Sequence, residues 1–369
     1  MHKEDVTMDT NKLNRILKSM EEQNLTQMII ADPATIYYLT GKMIHPGERL
    51  LALYLNVNGD HKILINKLFP QDRDLGVEIV WYDDIEDGVE ILSRYVEKDK
   101  PIGIDKIWPA RFLLRLQELE AGSKFVNGSM IVDYVRQIKD ENEQQRMREA
   151  GAANDKVMEE LVKLVGKGYT ELELDQKVRD LYAESGHQGL SFPPITAYGK
   201  SGADPHHMTD NTKGKRGDSV VLDIGGILND YCSDMTRTVF LGEVSEKGRE
   251  VYEIVKEAQR RGIEASKPGN RMCDVDLACR NYIEEMGYGQ YFTHRTGHSI
   301  GMEDHEFGDV SSVNQDIIKP GQCFSIEPGI YLMDEGIGVR IEDLVLITED
   351  GCEVLNKFTK DLIVVPMED

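Results

Sequence analysis

The sequence predicts an α+β domain over residues 136–369, preceded by a smaller α/β domain over residues 1–135. With 369 residues, the chain is too long for one ordinary hydrophobic core and suits two domains. The first third alternates short β-rich runs with helical patterns, whereas the remainder pairs strands as hairpins with helices between the pairs. The two patterns are separated by a break from Gly122 to about Gln137, and we place the boundary near residue 136.

In the first domain, runs rich in β-branched and aromatic residues predict five strands: QMIIA, TIYYLTG, LLALYLN, HKILIN and VEIVWYD. Apolar residues at helical spacing predict helices around residues 13–20 and 91–95. The domain contains neither a G-x-G-x-x-G nor a Walker-type loop, so we expect no nucleotide site there.

Four helices are predicted in the second domain, at residues 141–165, 171–185, about 246–266 and about 272–286. The first of them is long, charged and amphipathic, and Gly166 and Gly168 end it. The remaining β-rich segments read as hairpins between the helices, which is typical of an α+β domain.

Composition excludes several classes of function. The formal net charge is −23, and an acidic surface repels phosphate backbones, so we expect no nucleic-acid partner. No apolar run approaches the roughly 18–20 residues of a membrane span, and the first twenty residues show no apolar signal core. We therefore expect a cytoplasmic protein without a membrane partner. Five scattered cysteines without a C-x-x-C pair argue against disulfides and against a thiolate zinc site.

The segment DSVVLDIGGILNDYCSDMTRTVFL predicts a hairpin with its turn at Leu228-Asn229. In that register Asp223 lies directly opposite Asp234. Opposed residues project from the same face of a hairpin with Cβ atoms about 5 Å apart. Two carboxylates in this position repel each other strongly unless a cation lies between them.

A second segment, CFSIEPGIYLMDEGIGVRIEDLVLI, predicts a hairpin with its turn at Asp334-Glu335. Here Glu327 lies opposite Glu342, which gives a second carboxylate pair. Arg340 lies on the same strand face as Glu342 and is a candidate to orient a carboxylate.

Four carboxylates with one imidazole would form an oxygen-rich site suited to Mn²⁺, Co²⁺, Fe²⁺ or Zn²⁺. Bridging carboxylates would hold two such ions about 3.5–4 Å apart. Two histidine-rich segments offer the imidazole: HRTGHSIGMEDHE contains His294, His298 and His305, and PHHMTDN contains His206 and His207. The alternative is that each acid is a solvent-facing strand residue, and spacing alone leaves the two interpretations about equal.

Four motifs in order, LDIGG…YCSDMTRT, HRTGHSIG…HE, SIEPGIY and VRIED, resemble the creatinase/methionine aminopeptidase ("pita-bread") superfamily over about residues 136–369. The N-terminal segment DPATIYYLTG…HPGERLLAL resembles the prolidase-type domain of bacterial Xaa-Pro dipeptidases. The resemblance implies a pita-bread catalytic domain behind a creatinase/prolidase-type domain, and a homodimer.

The resemblance also implies the residues of the site. Two divalent ions, with Mn²⁺ as the first choice, would be held by Asp223, Asp234, His298, Glu327 and Glu342. His305 and a histidine of PHHMTDN would act in catalysis together with Glu327. We favour His206 over His207, because His206 directly follows Pro205.

The implied reaction is hydrolysis of Xaa-Pro dipeptides by a metal-bridging hydroxide. Arg340 and Arg295 are candidates to bind the substrate carboxylate, with Arg340 alternatively a brace for Glu342. Tyr198, together with Phe192 and Tyr331, would line the proline pocket. Asp304 departs from the family pattern, which has an aliphatic residue there, and this affects the shape of the pocket. The alternatives are an Xaa-Pro aminopeptidase that acts on longer peptides and a non-catalytic binding protein.

Overall fold

A computed structural model of the chain describes residues 7–204 and 207–368. His206, the predicted catalytic histidine, lies outside the described residues. The chain divides into two compact units between Arg136 and Gln137.

The N-terminal unit is built on a six-stranded mixed sheet with strand order β4-β3-β2-β1-β5-β6. Its described strands are β1 (Gln27–Ile30), β2 (Ala52–Asn56), β3 (Lys62–Asn66), β4 (Glu78–Tyr82), β5 (Pro101–Ile104) and β6 (Lys124–Asn127). Its described helices are α1 (Thr10–Glu22), α2 (Pro33–Thr40), α3 (Gly88–Leu92), α4 (Ala110–Glu118) and α5 (Ser129–Gln137). Four of the five predicted strands are confirmed, as is the helix expected near residues 13–20, whereas the helix expected at residues 91–95 lies earlier, at Gly88–Leu92.

Two predictions in this unit are wrong. The segment TIYYLTG forms α2 and not a strand, because strong end signals outweigh its β-branched and aromatic content. Asp32 accepts hydrogen bonds from the backbone N–H groups of Ala34 and Thr35, Pro33 occupies the first turn, and Gly41 ends the helix at φ 62°. The break expected before Gln137 instead contains β6 and α5.

In the C-terminal unit, the four predicted helices are confirmed to within one residue at each end. They are α6 (Glu141–Val165), α7 (Glu171–Glu184), α8 (Glu246–Ala265) and α9 (Met272–Glu285), and a short 3₁₀ turn follows at Gly289–Tyr291. Capping boxes explain why α6 and α7 begin sharply. The side chains of Asp140 and Thr170 each accept a hydrogen bond from the backbone N–H three residues on, and the glutamate at that position accepts one from the backbone N–H of the cap residue.

The strands of this unit form four small sheets, with orders β11-β10-β7, β20-β12-β9-β8, β14-β13-β15-β18-β19 and β16-β17. The strands are β7 (Gly189–Leu190), β8 (Ile195–Tyr198), β9 (Ser219–Ile224), β10 (Gly226–Leu228), β11 (Tyr231–Cys232), β12 (Met235–Leu241), β13 (Gly297–Ser299), β14 (Glu306–Val310), β15 (Cys323–Ile326), β16 (Gly329–Leu332), β17 (Ile337–Arg340), β18 (Asp343–Ile347), β19 (Cys352–Val354) and β20 (Val364–Val365).

Among the described residues, the two larger hydrophobic cores of this unit pack its sheets against the helices. One joins α6 and α7 to β9 and β12, for example through Leu161, Leu174 and Leu222. The other joins α8 and α9 to β15 and β18, through residues such as Val255 and Phe324. Strands covered in this way are withdrawn from water, so polar side chains on them need partners. Among the described residues, no helix is both long enough and apolar enough to cross a membrane.

Candidate metal centre

The first hairpin has a register that differs from the predicted one. Asp223 on β9 lies opposite Thr236 on β12, and not opposite Asp234. The turn lies at Asn229 and Asp230, whose φ angles of 50° and 68° are those of a two-residue type I′ turn. The predicted turn was therefore one residue too early, and the predicted direct opposition is wrong. The shift moves the partner by two residues, so Asp223 and Asp234 still share a face and are diagonal neighbours.

The second hairpin has the predicted register. Ile326 lies opposite Asp343 on one side of the pair, and Gly329 lies opposite Arg340 on the other. The same register places Glu327 opposite Glu342, at a point where the ladder opens. There the N–H of Glu327 donates to the carbonyl of Thr296 at 2.8 Å, and the N–H of Glu342 donates to the carbonyl of Thr236 at 3.1 Å. The opening therefore connects this hairpin to β12 of the first hairpin.

His298 on β13 brings an imidazole to the same point. Its Nε2 lies 3.4 Å from Oδ2 of Asp234 and 3.7 Å from Oε1 of Glu327, while its Nδ1 lies 3.2 Å from the carbonyl of Ser299. Asp234, His298 and Glu342 are buried, and each has a ligand atom within 4.8 Å of the other two. Two hairpins and β13 thus converge on one cluster of oxygen and nitrogen atoms.

Among the described residues, three buried carboxylate oxygens in this cluster find no hydrogen-bond partner: Oδ1 of Asp223, Oδ1 of Asp234 and Oε1 of Glu342. The other oxygens of two of these groups are held firmly: Oδ2 of Asp223 accepts from Arg340 at 2.6 Å, and Oε2 of Glu342 accepts from Thr236 at 2.6 Å. An unpartnered buried acceptor costs free energy, so its recurrence on neighbouring carboxylates requires a partner from outside the chain. A cation provides that partner, and the residues therefore fit a metal site.

The pKa values of these side chains also indicate that the cluster lacks a compensating positive charge. Burial, together with the negative charges of neighbouring carboxylates, raises the pKa of Asp234 and of Glu342 well above its ordinary value. Burial raises the pKa of Glu327 to about 7. Burial and the neighbouring His305 lower the pKa of His298 to about 3, which keeps the imidazole neutral and able to bind a metal.

Arg340 is a buried brace within this centre. Its Nη2 donates to Asp223, its Nε donates to Oγ1 of Thr236 at 3.1 Å, and its Nη1 donates to the hydroxyl of Tyr331 at 3.0 Å. Thr236 in turn donates to Glu342, so Arg340 orients both hairpins. The prediction that Arg340 binds the substrate carboxylate is corrected to the brace, because each of its nitrogen atoms already donates to the protein.

His305 lies on the solvent side of His298. The two rings are stacked, with centroids 3.7 Å apart and an interplanar angle of 21°. The side chain of His305 is 58% exposed, and its Nδ1 accepts from Nη2 of Arg295 at 3.0 Å. Arg295 is itself exposed, so both side chains are accessible to a ligand that enters from this side.

Two further predicted residues lie elsewhere. Tyr198 is 2% exposed within the core, and its hydroxyl donates to the carbonyl of Tyr169 at 3.2 Å. The prediction that Tyr198 binds substrate is therefore corrected, because β8 turns this side chain towards α6 and α7. His207 lies 2.6 Å from the buried carboxylate of Glu171 through Nε2. Of the proposed pocket walls, Tyr331 contacts Arg340, and Phe192 packs over Gly225, two residues from Asp223.

Sequence reasoning missed Thr236 and Ser325. Thr236 bonds to both Glu342 and Arg340, and the hydroxyl of Ser325 donates to Oε1 of Glu327 at 3.3 Å. Each lies two residues from a predicted ligand and therefore projects from the same strand face. That spacing was the available signal.

Comparison with known proteins identifies the family of this chain. Residues 145–349 match metallopeptidase family M24, and residues 12–138 match the creatinase/prolidase N-terminal domain. A putative dipeptidase, YkvY, of Bacillus subtilis (strain 168) is 34% identical over 364 residues, which cover 96% of this chain and 100% of the relative.

Solved structures of a dipeptidase and a prolidase also match this chain over nearly its whole length. A dipeptidase from Pyrococcus horikoshii OT3 matches with a TM-score of 0.90 at 34% identity, covering 96% of this chain and 99% of that chain. A prolidase from Pyrococcus furiosus matches with a TM-score of 0.83 at 32% identity, covering 92% and 99%. The chain therefore belongs to metallopeptidase family M24, as a hydrolase with a creatinase/prolidase-type N-terminal domain and a pita-bread C-terminal domain.

Proposed function

We propose that this protein hydrolyses Xaa-Pro dipeptides with two divalent metal ions held by Asp223, Asp234, His298, Glu327 and Glu342. The observation that carries the proposal is the set of unpartnered, buried carboxylate oxygens contributed by both hairpins beside a neutral imidazole. The substrate class is supported by relatives named dipeptidase and prolidase.

When bound, the metal pair supplies a water molecule of lowered pKa as nucleophile and polarises the scissile carbonyl. Glu327 is the proposed proton carrier, because its side chain stays 17% exposed, against 12% for Asp223 and 5% for Asp234. Its carboxylate would take a proton from the nucleophile and deliver it to the proline nitrogen as the C–N bond breaks.

The remaining proposed roles concern substrate contacts. His305, stacked on His298 and accessible from solvent, would donate a hydrogen bond to the developing oxyanion. His206 remains the proposed second catalytic histidine, and the contact of His207 with Glu171 leaves His207 the weaker choice. Arg295 would pair with the carboxylate of the substrate.

An Xaa-Pro aminopeptidase that acts on longer peptides is the second candidate. It is favoured by one observation: Nε, Nη1 and Nη2 of Arg340 each donate to a group within the protein, which leaves the exposed Arg295 as the proposed partner of a free substrate carboxylate. The two activities are separated by incubating the Mn²⁺-loaded protein with Ala-Pro and with Ala-Pro-Ala. We expect cleavage of the dipeptide. Cleavage of the tripeptide alone would overturn the dipeptidase proposal.

Mn²⁺ is the proposed metal, because four of the five ligands are carboxylates and none is a thiolate. Elemental analysis of the purified protein, followed by chelation and return of Mn²⁺, Co²⁺, Zn²⁺ or Fe²⁺ singly, tests the choice. A protein without stoichiometric metal and without peptidase activity would favour a binding protein instead. The homodimer stays a prediction from resemblance, and its measurement is the molar mass in solution.

A further inference from the structure

Asp304 adds a fifth carboxylate beside the five proposed ligands. One of its oxygens lies within 4.8 Å of ring nitrogens of both His298 and His305. Its Oδ2 is 3.4 Å from Nε2 of His305, whereas its Oδ1 is buried and has no hydrogen-bond partner in the part of the chain that the structure describes. The exposed ring of His305 shows that solvent, and therefore a substrate, reaches this side of the centre.

Neither the protein nor the proposed metal ions balance the charge of Asp304. Four ligand carboxylates already match the four positive charges of two divalent ions. Within residues 7–204 and 207–368, no lysine or arginine forms an ion pair with Asp304. Nearby arginines have other partners, since Arg340 donates to Asp223, and Arg295 donates to His305 and is the proposed partner of the substrate carboxylate.

A third metal ion would find too few ligands at Asp304. Nε2 of His298 faces Asp234 and Glu327, and Nδ1 of His305 is occupied by Arg295. Only an oxygen of Asp304 and Nε2 of His305 remain, which is fewer than the three protein ligands usual in a catalytic metal site. An organic cation needs only the carboxylate, because an ammonium or guanidinium group brings its own hydrogen-bond donors.

We propose that Asp304 binds a cationic side chain at the Xaa position, so that the enzyme prefers Lys-Pro and Arg-Pro to dipeptides with an uncharged Xaa residue. This inference rests on the proposed function and names its substrate class. Asp304 lies beside the proposed ligand His298, and in this proposal the residue on the N-terminal side of the scissile bond occupies that side of the centre. A charge-assisted hydrogen bond in a partly buried pocket discriminates more strongly than an exposed ion pair does.

The test compares Lys-Pro with norleucine-Pro, which has the same aliphatic chain without the ammonium group. For the wild-type enzyme we expect kcat/KM to be higher for Lys-Pro by about 10- to 100-fold. In Asp304→Asn the ratio should fall to about 1, because the amide keeps the shape and loses the charge. Glu303→Gln is the matched control, since it removes the neighbouring negative charge and should retain the preference.

Two further measurements separate the alternatives. Elemental analysis should find equal metal content in wild type and Asp304→Asn, and loss of a metal equivalent would overturn the inference in favour of a ligand role. Equal slowing of both dipeptides in Asp304→Asn would also overturn it, because that outcome indicates binding of the α-ammonium group that all substrates share.

Calorimetry of the products distinguishes failure of the inference from failure of the proposed function. Lysine should bind the metal-loaded wild-type protein more tightly than norleucine does, and Asp304→Asn should remove the difference. Hydrolysis of both dipeptides at equal rates, with equal binding of the two amino acids, would overturn only the role of Asp304. Absence of hydrolysis together with Asp304-dependent binding of lysine would overturn the peptidase proposal and support the cation site.

Discussion

Two buried charged clusters lie side by side in the C-terminal unit, and they differ in how their charge is balanced. In the metal centre, three carboxylate oxygens have no partner. In the neighbouring cluster, Asp343 is fully buried, and both of its oxygens are satisfied: Oδ1 accepts from Arg237 at 2.7 Å, and Oδ2 accepts from Gln259 at 2.9 Å and Lys360 at 2.5 Å. Burial of a carboxylate therefore does not by itself identify a ligand site, and the distinguishing feature of the metal centre is a group of neighbouring carboxylates with unpartnered oxygens.

The two clusters are adjacent in sequence as well as in space. Glu342 precedes Asp343, and Thr236 precedes Arg237. Successive residues of an extended chain project to opposite sides, so each pair contributes one residue to the metal centre and the next to the satisfied cluster. The carbonyl of Glu342 also accepts from Arg237 at 2.6 Å, which anchors the backbone that carries the ligand. The cluster around Asp343 thus anchors the backbone of the proposed metal centre, whose own carboxylates need an ion as partner.

The largest contrast is expected from Asp234→Asn. Loss of a proposed metal-ligating carboxylate should lower kcat/KM by on the order of 10³-fold or more and should reduce bound metal. The metal-free variant should nevertheless unfold at a higher temperature than the metal-free wild type, because a neutral amide removes a buried charge from beside Glu342 and Asp223. Elemental analysis, kinetics and thermal unfolding after chelation measure the three effects. A metal-free variant that is less stable than the metal-free wild type would contradict the inference that the metal-free site holds uncompensated negative charge.

Arg237→Met should have the opposite effect on stability. The substitution removes the donor to Oδ1 of Asp343 and the donors to the carbonyls of Phe358 and Thr359, which Arg237 reaches at 2.7 and 3.0 Å. Breaking a buried pair costs about 3–5 kcal/mol of unfolding free energy. Urea denaturation of the metal-free protein measures it. Arg216→Met is the control, since this exposed arginine donates to a surface carbonyl and should change the midpoint little. An unchanged midpoint for Arg237→Met would refute the structural role of the satisfied cluster.

The pH dependence of stability in the metal-free protein further distinguishes the metal centre from the cluster around Asp343. Burial raises the folded-state pKa of Glu327 from 4.5 to about 7. An acid with a raised pKa contributes stability that is complete below pH 4.5 and lost as pH rises through 7, by roughly 3 kcal/mol in all. Urea denaturation between pH 4.5 and 8 of wild type and Glu327→Gln should therefore show stability curves that converge as pH falls and diverge as pH rises, with only the wild type losing this contribution. Parallel curves would contradict the raised pKa. Metal binding should remove this dependence on pH.

Local signals made much of this unit predictable. Helices α6 and α7 were placed to within a residue because Asp140, Thr170 and Gly166 mark their ends chemically. The second hairpin was predicted in register because its four-residue tip, which ends at Gly336 with φ 66°, is symmetric about Asp334-Glu335. The first hairpin failed because Asn229-Asp230 was not recognised as a two-residue turn, although this pair suits positive φ.

Long-range contacts account for what could not be predicted. The choice of His298 among five clustered histidines came from resemblance, since no local signal separates it from His294 or His305. The use of Arg340 by Asp223, 117 residues away in the chain, depends on how β9 packs against β17. The core position of Tyr198 likewise depends on α6 and α7, and spacing along β8 carries no information about it.

The smallest effect is expected from Thr236→Val, which tests whether the hydrogen bond from Thr236 to Glu342 contributes to metal affinity. Thr236 donates to Glu342 and accepts from Arg340, so Thr236→Val should leave every proposed ligand in place but free Glu342 to rotate. Loss of such an orienting hydrogen bond typically weakens metal binding by about 10- to 100-fold. Thr238→Val is the matched control on the same strand face, since its hydroxyl bonds only to the backbone of Arg340. Competition with a metal chelator measures both affinities. Equal affinity in the two variants would show that packing of the hairpins alone positions Glu342, whereas a selective loss in Thr236→Val would show that the hydrogen bond does so.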